Sequence, residues 1–199
     1  MDRKIFSSVI IVLFSITIMG AVNAIGSVGN VSTKWGDIKN GYSTEIQLAP
    51  LTKITEADLS KRIFGKVYPV TLRYLDRFPR STDCTGVHAG IDYGAPKETN
   101  VKSATNGKVI KIENSIGGVF VFDGINTIIY AHMTGIEVKK GDKVILGQTI
   151  LGKVGSKGIA TGPHLHLEVR KGYSEFATPC SATKAEVEKK NLNPTSYIK

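Results

Sequence analysis

The spacing of apolar and polar residues changes character several times along the chain. From Ile5 to about Met19 the sequence is almost uniformly apolar, diluted only by serine and threonine. Residues 25–52 then carry glycine, serine and asparagine with no sustained period, which reads as an extended arm. At Thr55-Glu56-Ala57-Asp58 a threonine precedes an acid by three residues. In that arrangement each side chain satisfies a backbone amide left open by a helix start, so a short helix is predicted, ending by Gly65. From Val101 onward the period is two. Alternating apolar residues flank Asn106-Gly107 in VKSATNGKVIKIE, which predicts a hairpin. GVFVF, INTIIYAHM and GIEV read as short strands, Gly141-Asp142 and Gly147 as tight turns, and LHLEV as the last clear strand. Thr183-Lys184-Ala185-Glu186 repeats the capping pattern before a short polar helix that ends near Asn191. The pattern predicts a mainly β fold, a small antiparallel domain with short peripheral helices.

The apolar opening gains meaning from its flanks. Arg3 and Lys4 precede it and Val22-Asn23-Ala24 follows, the layout of a cleavable secretory signal. This predicts a signal peptide over 1–24, an N-terminal arm or pro-like segment over 25–59 and a domain over 60–199. The protein is then exported, periplasmic or secreted, with no stable membrane anchor once the signal is cut. A retained anchor is the alternative, since Ile5 to Val22 nearly spans a bilayer. Cleavage removes Asp2, Arg3 and Lys4, so the net charge falls from +9 to +8 over the remaining 175 residues. Such a surface favours anionic partners, a cell-wall polymer among them. Nucleic acid is excluded as a partner by the lack of a helix-turn-helix pattern, an RNA-binding aromatic signature or an arginine-rich stripe. Cys84 and Cys180 both fall in the exported part, where an even pair most simply forms one disulfide. Free thiols or a share in a metal site are the other readings, although no C-x-x-C suggests a zinc knuckle.

Histidine concentrates the chemistry. The chain has four, and two of them share GPHLHLEVR. In a strand, residues two apart point to one face, so His164 and His166 stand side by side while Leu165 turns to the core. HAGIDYG sets His88 and Asp92 four apart, with Gly90 leaving space between an imidazole and a carboxylate. In INTIIYAHM, alternation gives Ile128, Tyr130 and His132 one face. An exposed strand with incidental polar residues is the plain alternative for any one of these, but all four histidines lie on β-type segments at spacings that allow convergence. Such a set suits zinc hydrolysis. Catalytic zinc takes three nitrogen or oxygen ligands and leaves its fourth position for water. Two imidazoles and one carboxylate leave the ion about +1 net, and two spare histidines suit water orientation and oxyanion stabilisation.

HAGIDYGAP, YAHM and GPHLHLEV, in that order, resemble the lysostaphin/LytM-type zinc endopeptidases of bacterial peptidoglycan over about residues 60–170. The resemblance implies a β-sandwich of the duplicated-hybrid-motif type whose groove holds one zinc per chain. It implies that His88, Asp92 and His166 bind the ion and that His132 and His164 are the catalytic histidines, acting on peptide bonds of peptidoglycan cross-links or stems. A non-catalytic module of the same kind, binding wall or activating another hydrolase, is the alternative; such modules usually lack several ligands, and this sequence keeps all five residues. A lipoyl-type carrier gives the histidines no task. Tyr130 reads as a groove, core or rim residue, and Glu168 either bonds a ligand or faces solvent. The departures from the family pattern cluster around the first motif. FGKVYPVT keeps Phe64-Gly65 and Pro69, the insertion LRYLDRFPRSTDCTG carries Cys84, and Glu98 stands where glycine is usual. A disulfide from Cys84 to Cys180 would tether that insertion near the groove. The loop in VFDGINTIIYAHM is also shorter than usual.

Overall fold

The computed structural model describes residues 54–79 and 83–199. The expected signal peptide and residues 25–53 of the expected arm lie outside them. Among the described residues no helix is long and apolar enough to cross a membrane.

Helix α1 (Glu56–Phe64) forms where the capping pattern places it. The Thr55 hydroxyl accepts from the Asp58 amide at 3.1 Å, and the Asp58 carboxylate accepts from the Thr55 amide at 3.0 Å. Gly65, at φ +80°, ends the helix in a left-handed turn that costs glycine little. Leu59 and Ile63, four apart on one face, are fully buried. The helix therefore crosses the boundary expected between residues 59 and 60 while packing as one piece with the core.

Eleven strands follow: β1 (Val70–Leu72), β2 (Gly90–Tyr93), β3 (Asn100–Lys102), β4 (Gly107–Glu113), β5 (Gly118–Phe122) and β6 (Thr127–Ala131), then β7 (Met133–Thr134), β8 (Lys143–Val144), β9 (Ile150–Val154), β10 (Leu165–Arg170) and β11 (Asn191–Leu192). Helix α2 (Lys184–Lys190), capped by Thr183 and Glu186 and ending at Asn191, precedes β11, and α3 (Pro194–Tyr197) follows it. The larger sheet runs β1-β2-β10-β6-β5-β4-β8 with β11 beside β10, and the smaller runs β3-β9-β7. Every pairing is antiparallel.

One face of the large sheet supplies the core. Leu165, Leu167 and Val169 of β10 alternate inward beside Ile128 and Tyr130 of β6 and Ile91 and Tyr93 of β2. They join Val101, Leu151 and Val154 from the small sheet in one buried cluster. The opposite face of β2, β10 and β6 is thereby free to carry polar chemistry. The hairpin expected at Asn106-Gly107 does not form: β3 pairs with β9, and β4 pairs with β5 and β8. Val101 is drawn into the core with the small sheet. The Asn106 side chain accepts from the Leu146 amide at 2.9 Å instead of closing a two-residue turn.

Glu98 has φ +67°, a left-handed conformation that a Cβ disfavours by about 1–2 kcal/mol. Its ion pair with Lys153 spans 3.6 Å on the surface. Because glycine also frees the unfolded chain, Glu98→Gly is expected to raise stability by about 0.5–1 kcal/mol. A higher urea midpoint at unchanged slope would show it.

Candidate metal centre

Strand register brings the first two ligand candidates together. His166 of β10 pairs directly with Asp92 of β2 and, on its other side, with Ala131 of β6. Ala131 is small. Gly90 is required: a Cβ there would collide with the Leu167 carbonyl and stand 3.1 Å from His166 Cε1. His88 enters from just before β2. Its Nε2 lies 3.0 Å from Asp92 Oδ1 and 2.9 Å from His166 Nδ1, while His166 Nδ1 lies 2.9 Å from the same carboxylate oxygen. The three donor atoms form a nearly equilateral triangle that could hold a metal ion. Ligands of tetrahedral zinc, with bonds of about 2.0–2.1 Å, stand ~3.3 Å apart. The triangle fits the ion with an opening of a few tenths of an ångström.

The electrostatics suit a cation. Burial alone would push the Asp92 carboxyl up, but hydrogen bonds from His166 and His88 reverse this and hold it well below the usual carboxylate range. Burial likewise opposes a charged His166 ring, yet Asp92 and Glu168 outweigh it and raise the ring to about 10. The centre is thus a negatively polarised pocket in which imidazole nitrogens are drawn to positive charge.

Both candidate histidine ligands are aimed by a further partner. His88 Nδ1 donates to the Arg73 carbonyl at 3.1 Å, which turns Nε2 toward the triangle. His166 Nε2 is 3.5 Å from Glu168 Oε2. Glu168 does not face solvent. It is 1% exposed and accepts from the Thr178 amide, the Thr178 hydroxyl and the Asn191 side-chain amide at 3.1, 2.6 and 2.7 Å. Burial raises this carboxyl, but His166 and those donors lower it further, so it stays ionised. Glu168→Gln is expected to weaken zinc binding about 10- to 100-fold, measured by competition with a chromogenic chelator.

His132 and His164 complete the cluster, with ring centroids 4.6 Å apart. Their Nδ1 atoms donate to the Lys157 and Gly162 carbonyls at 2.6 and 2.9 Å. His164 Nε2 reaches to 3.7 Å from Asp92 Oδ2. Burial and the positive His166 ring press His132 down to about 4, so it is neutral at neutral pH. The expectation that Tyr130 and His132 share a strand face is overturned. Tyr130 is fully buried and its hydroxyl accepts from the Ala104 amide at 2.7 Å. Strand β6 ends at Ala131, and φ +64° at His132 breaks the alternation, swinging the imidazole out of the core side and into the groove. Such strain costs about 1–3 kcal/mol and concentrates at functional sites.

The centre opens into a groove of about 540 Å³. Cys84 and Cys180, 96 residues apart, are disulfide-bonded with Cα atoms 5.1 Å apart, and both line that groove. Their segments also meet through the Gly86 amide and the Cys180 carbonyl at 3.0 Å. Replacing both cysteines with serine is expected to lower stability by about 3 kcal/mol, and Tm by roughly 10 °C, in melts followed by circular dichroism.

All five histidine and aspartate residues singled out in the sequence therefore meet at one place. Not legible there were the three carbonyls that aim the rings, since backbone atoms carry no sequence signal, and the edge-on packing of Phe78 on His88 at 5.5 Å.

A buried carboxylate between two imidazoles, with two tethered imidazoles beside it in an open groove, defines a mononuclear metallohydrolase site on a mainly β scaffold. Residues 86–179 match Peptidase family M23 and form a domain of that family. The DD-carboxypeptidase/endopeptidase Mpg of Neisseria meningitidis serogroup B is 38% identical over 90 residues, 42% of this chain and 20% of Mpg. The peptidoglycan DD-endopeptidase ShyA of Vibrio cholerae is 41% identical over 86 residues, 41% of this chain and 20% of ShyA. The chain thus spans about a fifth of the length of these relatives. The solved catalytic domain of the antimicrobial peptidase lysostaphin from Staphylococcus simulans superposes with a TM-score of 0.53 at 26% identity, covering 72% of this chain and 97% of that one. The cofactor of the family is zinc, and the nitrogen-rich, carboxylate-completed donor set fits it.

Proposed function

We propose that the chain is an exported zinc-dependent endopeptidase that hydrolyses peptide bonds in the cross-links or stems of peptidoglycan. The observation that carries this reading is the meeting of His88, Asp92 and His166 within 3.0 Å of one another beside two anchored imidazoles. The names of Mpg and ShyA support the choice of polymer. The basic chain and the signal-like opening support export to an anionic wall.

In this reading His88, Asp92 and His166 hold the ion, and Glu168 fixes the His166 ring from behind. Bound zinc supplies Lewis acidity and a water acidified to react near neutral pH. A ring whose Nδ1–H is committed to a carbonyl offers only Nε2, an acceptor. Neutral His132 therefore takes a proton from the attacking water. Once protonated, it becomes a donor for the developing oxyanion or the leaving nitrogen. His164, held the same way next to Asp92, orients the second partner of that exchange. The amide C–N bond breaks, the water oxygen joins the acyl carbon, and the proton leaves with the amine.

Zinc analysis of the purified protein tests the reading together with chelation. One zinc per chain, hydrolysis lost on chelation and restored by added zinc, supports it. A fully loaded protein that cuts no peptidoglycan contradicts it.

A further inference from the structure

We infer that the Cys84–Cys180 disulfide and Thr178 are positioning residues for the metal centre, so that its affinity for zinc depends on whether the disulfide is formed. The inference rests on the reading of His88, Asp92 and His166 as zinc ligands and adds a regulation of that site. Both cysteines fall outside residues 86–179, the stretch that matches the family, so the tie is not part of the shared domain.

Each end of the disulfide leads to one histidine of the donor triangle. Beyond Cys84, the Gly86 amide donates to the Cys180 carbonyl and the Val87 amide to the Ala182 carbonyl, both at 3.0 Å. The next residue is His88. The two backbones meet so closely that a Cβ on Gly86 would collide with the Ala182 carbonyl. On the other side, Thr178 stands two residues before Cys180. Its amide and hydroxyl donate to Glu168 Oε1 at 3.1 and 2.6 Å, and Glu168 Oε2 lies 3.5 Å from His166 Nε2. One covalent bond therefore anchors both the approach to His88 and the support of His166.

Thr178 reaches Glu168 from a loop. β10 ends at Arg170, and the next regular element, α2, begins only at Lys184. Holding a loop residue in one place costs conformational entropy, and a crosslink two residues away removes much of that freedom beforehand. The Thr178 hydroxyl has one proton, which goes to Glu168 at the shorter distance, and its oxygen accepts from Arg170 Nη1 at 2.7 Å. The threonine thus passes the polarisation of a guanidinium to the carboxylate behind His166. When the disulfide opens, Thr178 spends part of its time away, leaving the Asn191 side-chain amide to hold Glu168. Glu168 then loses its fixed orientation, and the His166 ring loses the partner that turns Nδ1 toward Asp92 and His88. Both cysteines are half-buried in the groove wall, where a small reductant can reach them.

The test is zinc affinity, measured by competition with a chromogenic chelator on oxidised, phosphine-reduced and Cys84→Ser/Cys180→Ser protein, the last free of thiols that could bind zinc themselves. Reduction breaks the S–S bond with two electrons from the phosphine; its oxide takes oxygen from water, and the two protons of that water go to the thiols. The expected result is a dissociation constant about tenfold higher in the reduced and cysteine-free proteins. With the disulfide intact, Thr178→Val is expected to weaken zinc about tenfold and Thr178→Ser to restore it. In Glu168→Gln protein, removing both cysteines should cost less than about threefold more, because the path to His166 is already cut. Zinc release after phosphine addition is timed against circular dichroism, and release is expected to precede any loss of fold. Equal affinity with and without the disulfide, Thr178→Val matching wild type, or release only on unfolding overturns the inference and leaves the zinc reading standing. Oxidised wild type that binds no zinc removes that reading, and this inference with it.

Discussion

His166→Ala is expected to abolish zinc binding and hydrolysis together. The imidazole supplies one of three donor atoms, and its loss leaves Asp92 and His88 as a two-point site with a buried carboxylate no longer countered from β10. Metal activation of water and carbonyl is worth several kcal/mol in the transition state, so activity should fall by about 1,000-fold or more. Zinc content should fall from one per chain to a small fraction under the same dialysis. The fold should survive, because His166 sits on the face of β10 opposite Leu165 and Leu167 of the buried cluster. A His166→Ala protein that keeps both zinc and activity would remove this residue from the centre.

His132→Ala is expected to separate what His166→Ala joins. The His132 ring contributes no atom to the donor triangle, so zinc should remain at one per chain. Under the proposed mechanism, in which His132 accepts the proton, kcat should fall by about 100- to 10,000-fold. His132→Gly sharpens the contrast. The residue sits at φ +64°, where glycine is at ease and histidine is strained, so the glycine protein should be at least as stable as wild type while being inactive. Zinc analysis, kinetics and a denaturant titration on the same samples check all three parts.

Much of this centre was legible in the sequence because its chemistry lies in side-chain types at short spacings. H-x-x-x-D, H-x-H and the alternation of LHLEV put His88 and Asp92, and His164 and His166, at spacings that allow convergence, while the division into ligands and catalytic histidines came only from the family resemblance. Both capping patterns gave helices that form at the expected residues. Elsewhere the local signal lost to tertiary demands. Asn106-Gly107 looks like a hairpin, but burial of Val101 in the second sheet takes β3 away from β4. Tyr130 and His132 look like neighbours on one face, and a single left-handed residue parts them. Glu168 looked as much like a surface acid as a partner of His166. What decides is the return of residues 178 and 191 over it, and the sequence around the glutamate does not reveal that.

Mass spectrometry of fragments released from purified peptidoglycan by the 25–199 protein is the most direct test of the central claim, with His166→Ala protein and a chelated sample beside it. Release of peptides with newly formed termini by the intact protein, absent from both controls, is the expected result, and it would name the bond. Release that persists in either control, or no release from protein carrying one zinc per chain, would contradict the claim.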